Sequence, residues 1–103
     1  MWLMSITKSS AKDKRFTASF CKCKIKDECK GKNRKNVNFG LKGGSTFIDH
    51  GDEEKKKNYL ARHKVNENWN DPTTAGSLSS HLLWGATTSL KKNIELFKKK
   101  FNL

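Results

Sequence analysis

The chain has 103 residues, of which 22 are Lys or Arg and 10 are Asp or Glu, giving a formal net charge of +12 with only 34% hydrophobic residues. That balance excludes a large buried core and sits near the boundary at which chains cease to fold alone, although six Phe, three Trp and one Tyr supply enough bulk for a compact interior. No apolar run approaches the roughly 20 residues of a membrane-crossing helix, so no membrane insertion is expected.

The opening octapeptide MWLMSITK is too short for a secretory hydrophobic region, and its lysine follows the apolar patch rather than preceding it. With three cysteines, an odd number, a reducing compartment and free thiols are expected. The charge is uneven. Residues 1–44 hold twelve Lys/Arg against three acids, residues 45–71 five against six, and residues 72–103 five against one. A surface of this kind suits a polyanion: nucleic acid, an acidic protein face or anionic lipid.

Period-two alternation runs through the first forty residues. Phe16, Ala18 and Phe20 point one way and Val37, Phe39 and Leu41 repeat the pattern, which with Leu3–Lys8 predicts a small antiparallel β-hairpin or meander. SSAKDK (Ser9–Lys14) and KDECKGKNR (Lys26–Arg34) read as connecting loops. The outer face and loops of this sheet are expected to carry most of the lysines. The expected polyanion or partner contacts are therefore Lys8, Lys12, Lys14, Arg15, Lys22, Lys24, Lys26, Lys30, Lys32, Arg34 and Lys35.

Cys21, Cys23 and Cys29 invite a zinc site with His50 or His63. One residue separates the first pair, however, where zinc sites space paired cysteines two to four apart. No metal or cofactor is expected. Gly43-Gly44-Ser45-Thr46 lacks the spacing of a phosphate-binding loop and reads as a hinge between sheet and helices.

Three short helices are predicted next. Asp52 caps the first, with Glu53 and Glu54 in its opening turn and Lys64 at its far end, and Tyr59, Leu60 and His63 form its thin buried stripe. In NENWNDPTTAG (Asn66–Gly76), Asp71 is expected as the next N-cap with Pro72 at the first helical position. The second helix would then run through SLSSHLLW, with Leu78 and Leu82 one turn apart and Gly85 as its stop. Trp69 would fold over its first turn, and Arg62 would pair with Glu67 or Asp71 and stack on Trp69. Tyr59, Arg62, His63, Trp69, Pro72 and Trp84 are thus expected to build a structural corner. Capped by Thr87 or Thr88, the last helix carries Leu90, Ile94, Phe97 and Phe101 on one stripe and Lys91, Lys92, Lys98, Lys99 and Lys100 opposite. Lys98, Lys99 and Lys100 join the expected partner-binding set.

The fold class is therefore α+β: one domain over 1–103, a basic β part over 1–44 and a helical part over 45–103. His50, His63 and His81 fall on a loop and two different helices, and no motif brings together a nucleophile, base and orienting group. No catalytic residue is assigned and no enzyme is expected.

Val37-Asn38-Phe39-Gly40, Tyr59-Leu60-x-Arg62-His63-Lys64, Glu67-x-Trp69, Thr74-Ala75-Gly76 and Leu83-Trp84 before a Thr-x-x-Leu helix with a Lys-rich Phe tail form a recognisable series. The series resembles a family of small basic proteins of unknown function encoded mainly by giant, nucleocytoplasmic large DNA viruses and some algae. The resemblance covers residues 36–103 closely and the first hairpin loosely. CKCKIKDECKGK departs from it as an expanded hairpin loop, and Gly85-Ala86 stands where Asn-Lys is usual. The resemblance implies a viral setting: a minor capsid or internal virion protein, found in the virion and in the host cytoplasm during assembly. Its partners would be capsid or other virion proteins, with DNA or RNA phosphates as the alternative. Lysine-dominated contact with nucleic acid would be blind to sequence.

Overall fold

A computed structural model describes residues 2–22, 31–65 and 67–103, apart from the side chain of Lys32. Strands β1 (Trp2–Lys8), β2 (Lys14–Cys21) and β3 (Arg34–Leu41) form an antiparallel meander in the order β1-β2-β3, with a 3-10 turn at Gly31–Asn33 leading into β3. The α+β expectation holds at this level. The helical part differs from the three helices expected: four are present, α1 (Phe47–His50), α2 (Glu53–Lys64), α3 (Ala75–Leu78) and α4 (Leu90–Phe101).

α3 runs directly into a π-helical turn at Ser79–Leu83, closed by the Trp84 N–H donating to the Ser79 carbonyl at 3.0 Å. The wider turn accommodates one extra residue, and this redistributes side chains around the axis. Leu78, Leu82 and Leu83 all point into the core, while His81 and Trp84 reach sideways toward α4 and α2.

The register explains the sheet. Leu3 pairs with Phe20, Ile6 with Ala18, Ala18 with Val37 and Phe16 with Phe39, so the apolar residues of all three strands share one face. An irregularity between Leu3 and Ser5 restores that phase in β1. Helices cover this face: Leu3, Ala18, Phe20 and Phe39 meet Leu78, Leu82, Leu83 and Phe97 in one buried cluster. The other face is polar and partly open: Asn36 and Asn38 are exposed on it, whereas Ser19 and Cys21 are buried. Thr17 Oγ1 donates to Asn38 Oδ1 at 2.6 Å and Ser19 Oγ to Asn36 Oδ1 at 2.9 Å, cross-strand bonds that satisfy groups with no apolar partner.

The helix ends follow local chemistry with two corrections. Asp52 caps α2, accepting from the N–H groups of Glu54 and Lys55, as expected. Asp71 does not cap α3. Its carboxylate accepts from the Thr73 N–H and hydroxyl in a turn, and Thr74 takes the N-cap by accepting from the Ser77 N–H at 3.1 Å, so Pro72 lies before the helix rather than at its first position. An Asx turn satisfies Asp71 locally and leaves the capping to the next hydroxyl. Likewise Ser89, not Thr87 or Thr88, caps α4.

Thr87 instead serves Asn93, which is buried on α4. The Asn93 amide donates to the carbonyls of Leu82 and Thr87, and its oxygen accepts from the Thr87 N–H and hydroxyl. The loop between the π turn and α4 is thereby tied to α4 through one fully satisfied side chain. Gly85 fits beneath it: a Cβ there would lie 2.2 Å from the His81 carbonyl oxygen. Replacing Asn93 by Ala should lower unfolding free energy by about 2 kcal/mol, because two buried carbonyls lose their donor. Urea denaturation followed by far-UV circular dichroism measures it, and Asn93→Asp should be destabilised similarly.

Candidate polyanion-binding surface and aromatic corner

Lys8 ends β1, Lys12 lies in the following turn, Lys14 opens β2 and Lys42 follows β3, its N–H donating to the Asp13 carbonyl at 3.1 Å. The antiparallel meander therefore gathers four exposed ammonium groups at one end of the sheet. Two of them, Lys8 and Lys42, line a cavity of about 360 Å³ together with Ser9, Arg15 and Phe16. Lys42 was not among the residues expected from sequence. Only the pairing of β2 with β3 brings it beside Lys8.

Arg15 has a different role from the one expected. Its guanidinium is held by Asp49 of α1 through two 2.7 Å bonds, and it lies 5.2 Å from the centre of the Phe16 ring. Asp49 Oδ2 also accepts from the Thr46 N–H and hydroxyl. Hydrogen bonding from Arg15 holds the Asp49 carboxyl well below the usual carboxylate range, and the same contact raises the Arg15 pKa. This pair joins the sheet to the first helix, so Arg15 is engaged inside the protein.

At the opposite end of the sheet, Lys22 is exposed just beyond β2, about 25 Å away at the rise of a strand. Lys24, Lys26 and Lys30 lie outside the described residues, as do Cys23 and Cys29; Lys32 is in the 3-10 turn. Cys21 is disulfide-bonded, which corrects the expectation of free thiols there. Lys35 donates to the Thr73 hydroxyl at 3.1 Å and so helps fasten β3 to the segment before α3.

Of the outer face and loops expected to carry the lysines, the loops and strand ends hold those that are described, and the face itself does not. Lys8 and Lys35 pair with Phe16 and Phe20 respectively, and Lys14 shares their phase, so all three belong to the helix-covered side and emerge at its rim. Among the described strand residues the cations in the phase of the other face are Arg15, turned to Asp49, and Arg34, which donates to Ser19 Oγ and Asn36 Oδ1 at 3.3 Å each. On α4, Lys91, Lys92, Lys98, Lys99 and Lys100 are exposed, forming the second basic surface.

The corner forms with different partners. Tyr59 stacks on Trp84 with ring centres 4.3 Å apart and planes 6° apart, and His63 stacks on the other neighbour side at 4.1 Å. Burial is the main reason the Tyr59 pKa is raised, with the Glu67 charge adding to it. His63 Nδ1 meets Glu67 Oε1 at 3.1 Å, and the Trp69 indole N–H donates to Glu67 Oε2 at 2.8 Å. The Trp69 carbonyl in turn accepts from Ser77 Oγ and bonds His81 Nε2 at 3.1 Å.

Glu67 thus takes the place expected for Arg62, whose side chain is exposed beside Trp84; among the described residues the ion pairs are Arg15–Asp49 and His63–Glu67. Gly76 makes room for Glu67, because a Cβ at Gly76 would lie 2.7 Å from its carboxyl carbon. Glu67 was expected in the corner only as a partner of Arg62, not of His63 and Trp69, and His81 was missed. Glu67-x-Trp69 was the available signal, since a carboxylate two residues before an indole can bond its N–H.

The three histidines are committed to packing. His50, at the end of α1 rather than in a loop, accepts the Asp52 N–H through Nδ1 and sets its ring against Trp84 at 5.5 Å. His81 packs on Phe97 and Phe101, and burial pushes its pKa down despite the bond to the Trp69 carbonyl. Among the described residues no group of three or more His, Cys, Asp or Glu side chains is placed to hold a metal ion. No helix among them is long and apolar enough to cross a membrane.

The lowered pKa of Asp49 has a definite pH consequence. Its stabilisation is complete above the unfolded carboxyl value near 4 and is lost as pH falls below it, because protonation then favours the unfolded chain. Asp49→Asn should cost about 1 kcal/mol at pH 7. It should also lose less stability than the wild type between about pH 5 and about pH 2.5, as read from urea midpoints at each pH.

The model of a family of unknown function (DUF5754) matches residues 4–63, spanning the sheet, α1 and nearly all of α2. The resemblance drawn from the sequence lies mainly over 36–103, so the two overlap at residues 36–63; the family match takes in the first hairpin and ends before the corner loop. No curated protein and no solved structure matches. Because that match covers more than half of the 103 residues, the chain belongs to the family of unknown function DUF5754.

Proposed function

We propose that this chain is a non-enzymatic basic protein that attaches to acidic protein faces or other polyanions through exposed lysines. Its proposed setting is a virus particle, as a minor capsid or internal component that joins capsid proteins during assembly in the host cytoplasm. The setting rests on the sequence resemblance. The binding rests on one observation: Lys8, Lys12, Lys14, Lys42 and the α4 lysines are exposed, make no ion pair among the described residues, and outnumber the carboxylates beside them, Asp13 at the sheet end and Glu95 on α4. The excess ammonium groups at the sheet end repel one another, and an anionic partner relieves that repulsion.

A second reading, contact with nucleic-acid phosphates without sequence preference, is favoured by apolar surface beside the same lysines: Leu41 is 68% exposed and Phe16 lines the cavity. Binding to duplex DNA and to polyglutamate should be measurable at low salt. If the four sheet-end lysines sit on phosphates, log K for the duplex should fall against log salt with a slope near −4, at roughly 0.9 per phosphate. Weak, salt-insensitive binding to both polymers would remove the polyanion reading. Fractionation of purified particles into shell and nucleoprotein, probed with an antibody to this chain, tests the setting; absence from both fractions would end it.

A further inference from the structure

Lys8, Phe16 and Phe39 lie side by side across β1, β2 and β3 on the helix-covered face. Phe39 is buried, and its ring stacks on Phe16 with centres 5.7 Å apart. The next row toward the hairpin turn pairs Lys14 with Leu41, and Leu41 is largely exposed. The helical layer therefore stops before the sheet does. It leaves a short apolar shelf, Phe16 and Leu41, bounded by Lys8 on one side and by Lys14 and Lys42 on the other.

The cavity at the Phe16 end of this shelf, about 360 Å³ and lined by Lys8, Ser9, Arg15, Phe16 and Lys42, falls in the lower part of the roughly 300–1,000 Å³ range of pockets that hold small ligands. One wall is the Arg15 guanidinium, another flat group, fixed in orientation by Asp49. Ordering it costs nothing further on binding.

Lysines alone suffice to hold phosphates. A shelf of phenylalanine and leucine between them suits a ligand that carries flat apolar groups at the spacing of its negative charges. Unpaired nucleobases meet that description, because each has a π-face that stacks on an aromatic ring or guanidinium plane while its phosphate pairs with an ammonium group. A duplex keeps those faces stacked inside, and an acidic protein surface offers carboxylates with few rings.

We propose that this sheet-end shelf binds single-stranded nucleic acid, with a base against Phe16 and Arg15 and phosphates on Lys8 and Lys42. The proposal rests on the polyanion reading above and narrows it to one ligand class. Recognition is by stacking and charge, so it carries no sequence preference.

Fluorescence anisotropy with the full chain tests it, using four probes: a thymidylate oligomer of about 20 nucleotides, its abasic counterpart, a duplex of equal length and poly-L-glutamate. The thymidylate oligomer should bind about fivefold or more tighter than the abasic strand, since the two differ only in the bases. Phe16→Leu keeps an apolar side chain of similar bulk and should weaken binding to the oligomer by about fivefold while leaving the abasic strand and the duplex unchanged. The double variant Lys8→Ala/Lys42→Ala should reduce the salt slope for the oligomer by about 1.4, at roughly 0.7 per phosphate on single strands.

Equal affinity for the oligomer and its abasic form overturns the shelf proposal while polyanion binding stands. So does binding to polyglutamate without binding to the oligomer, which points to an acidic protein partner. Failure of all four probes overturns the polyanion reading itself.

Discussion

The structure depends on burying a single apolar layer. With about a third of its residues hydrophobic, the chain covers only one face of its sheet, and Leu3, Ala18, Phe20 and Phe39 meet Leu78, Leu82, Leu83 and Phe97 there. The hydrophobic gain scales with the area removed from water, so the pieces that contribute to this layer hold the rest in place. Among the described residues the opposite face carries no comparable apolar cluster. It remains polar, and its Ser, Thr and Asn side chains pair across strands instead of packing.

α2 contributes no buried residue to that layer. Its attachment is made by flat groups and polar bonds: Tyr59 on Trp84, His63 on Tyr59, and Glu67 bridging His63 to Trp69. The π turn makes this possible. By accommodating an extra residue it lets Leu82 and Leu83 both enter the core while Trp84 turns toward α2. Asn93 then locks the following loop against α4, so the corner and the last helix share one polar tie.

The cations occupy what burial leaves over. Register puts Lys8, Lys14 and Lys35 on the covered side of the sheet, where they emerge at the ends instead of spreading over the open face. Arg15 and Lys35 are then used to join strand and helix through Asp49 and Thr73. The hairpin-end ammonium groups outnumber Asp13, the carboxylate among them, and keep a positive field beside half-buried Phe16 and exposed Leu41. A basic protein becomes a candidate for contact with single strands at the point where its apolar layer runs short.

Patterns that close within a few residues were legible in the chain. Alternation marked the strands, Asp52 before two glutamates marked the start of α2, and the spacing of Leu90, Ile94, Phe97 and Phe101 marked the stripe of α4. Each depends on neighbours one turn or two residues away, and backbone geometry fixes where they point. Asp71 was misjudged even locally, because an Asx turn and an N-cap use the same side-chain oxygen. Arg15 and Asp49, Lys8 and Lys42, and Asn93 and Leu82 are brought together only by strand pairing and layer packing. The sequence alone determined the strands, α2, α4 and the sign of the surface, while α1 and the π turn emerged only in the fold. Tertiary structure decided which cations are spent internally and which remain exposed, because partners distant along the chain are chosen by register and burial, which no local spacing records.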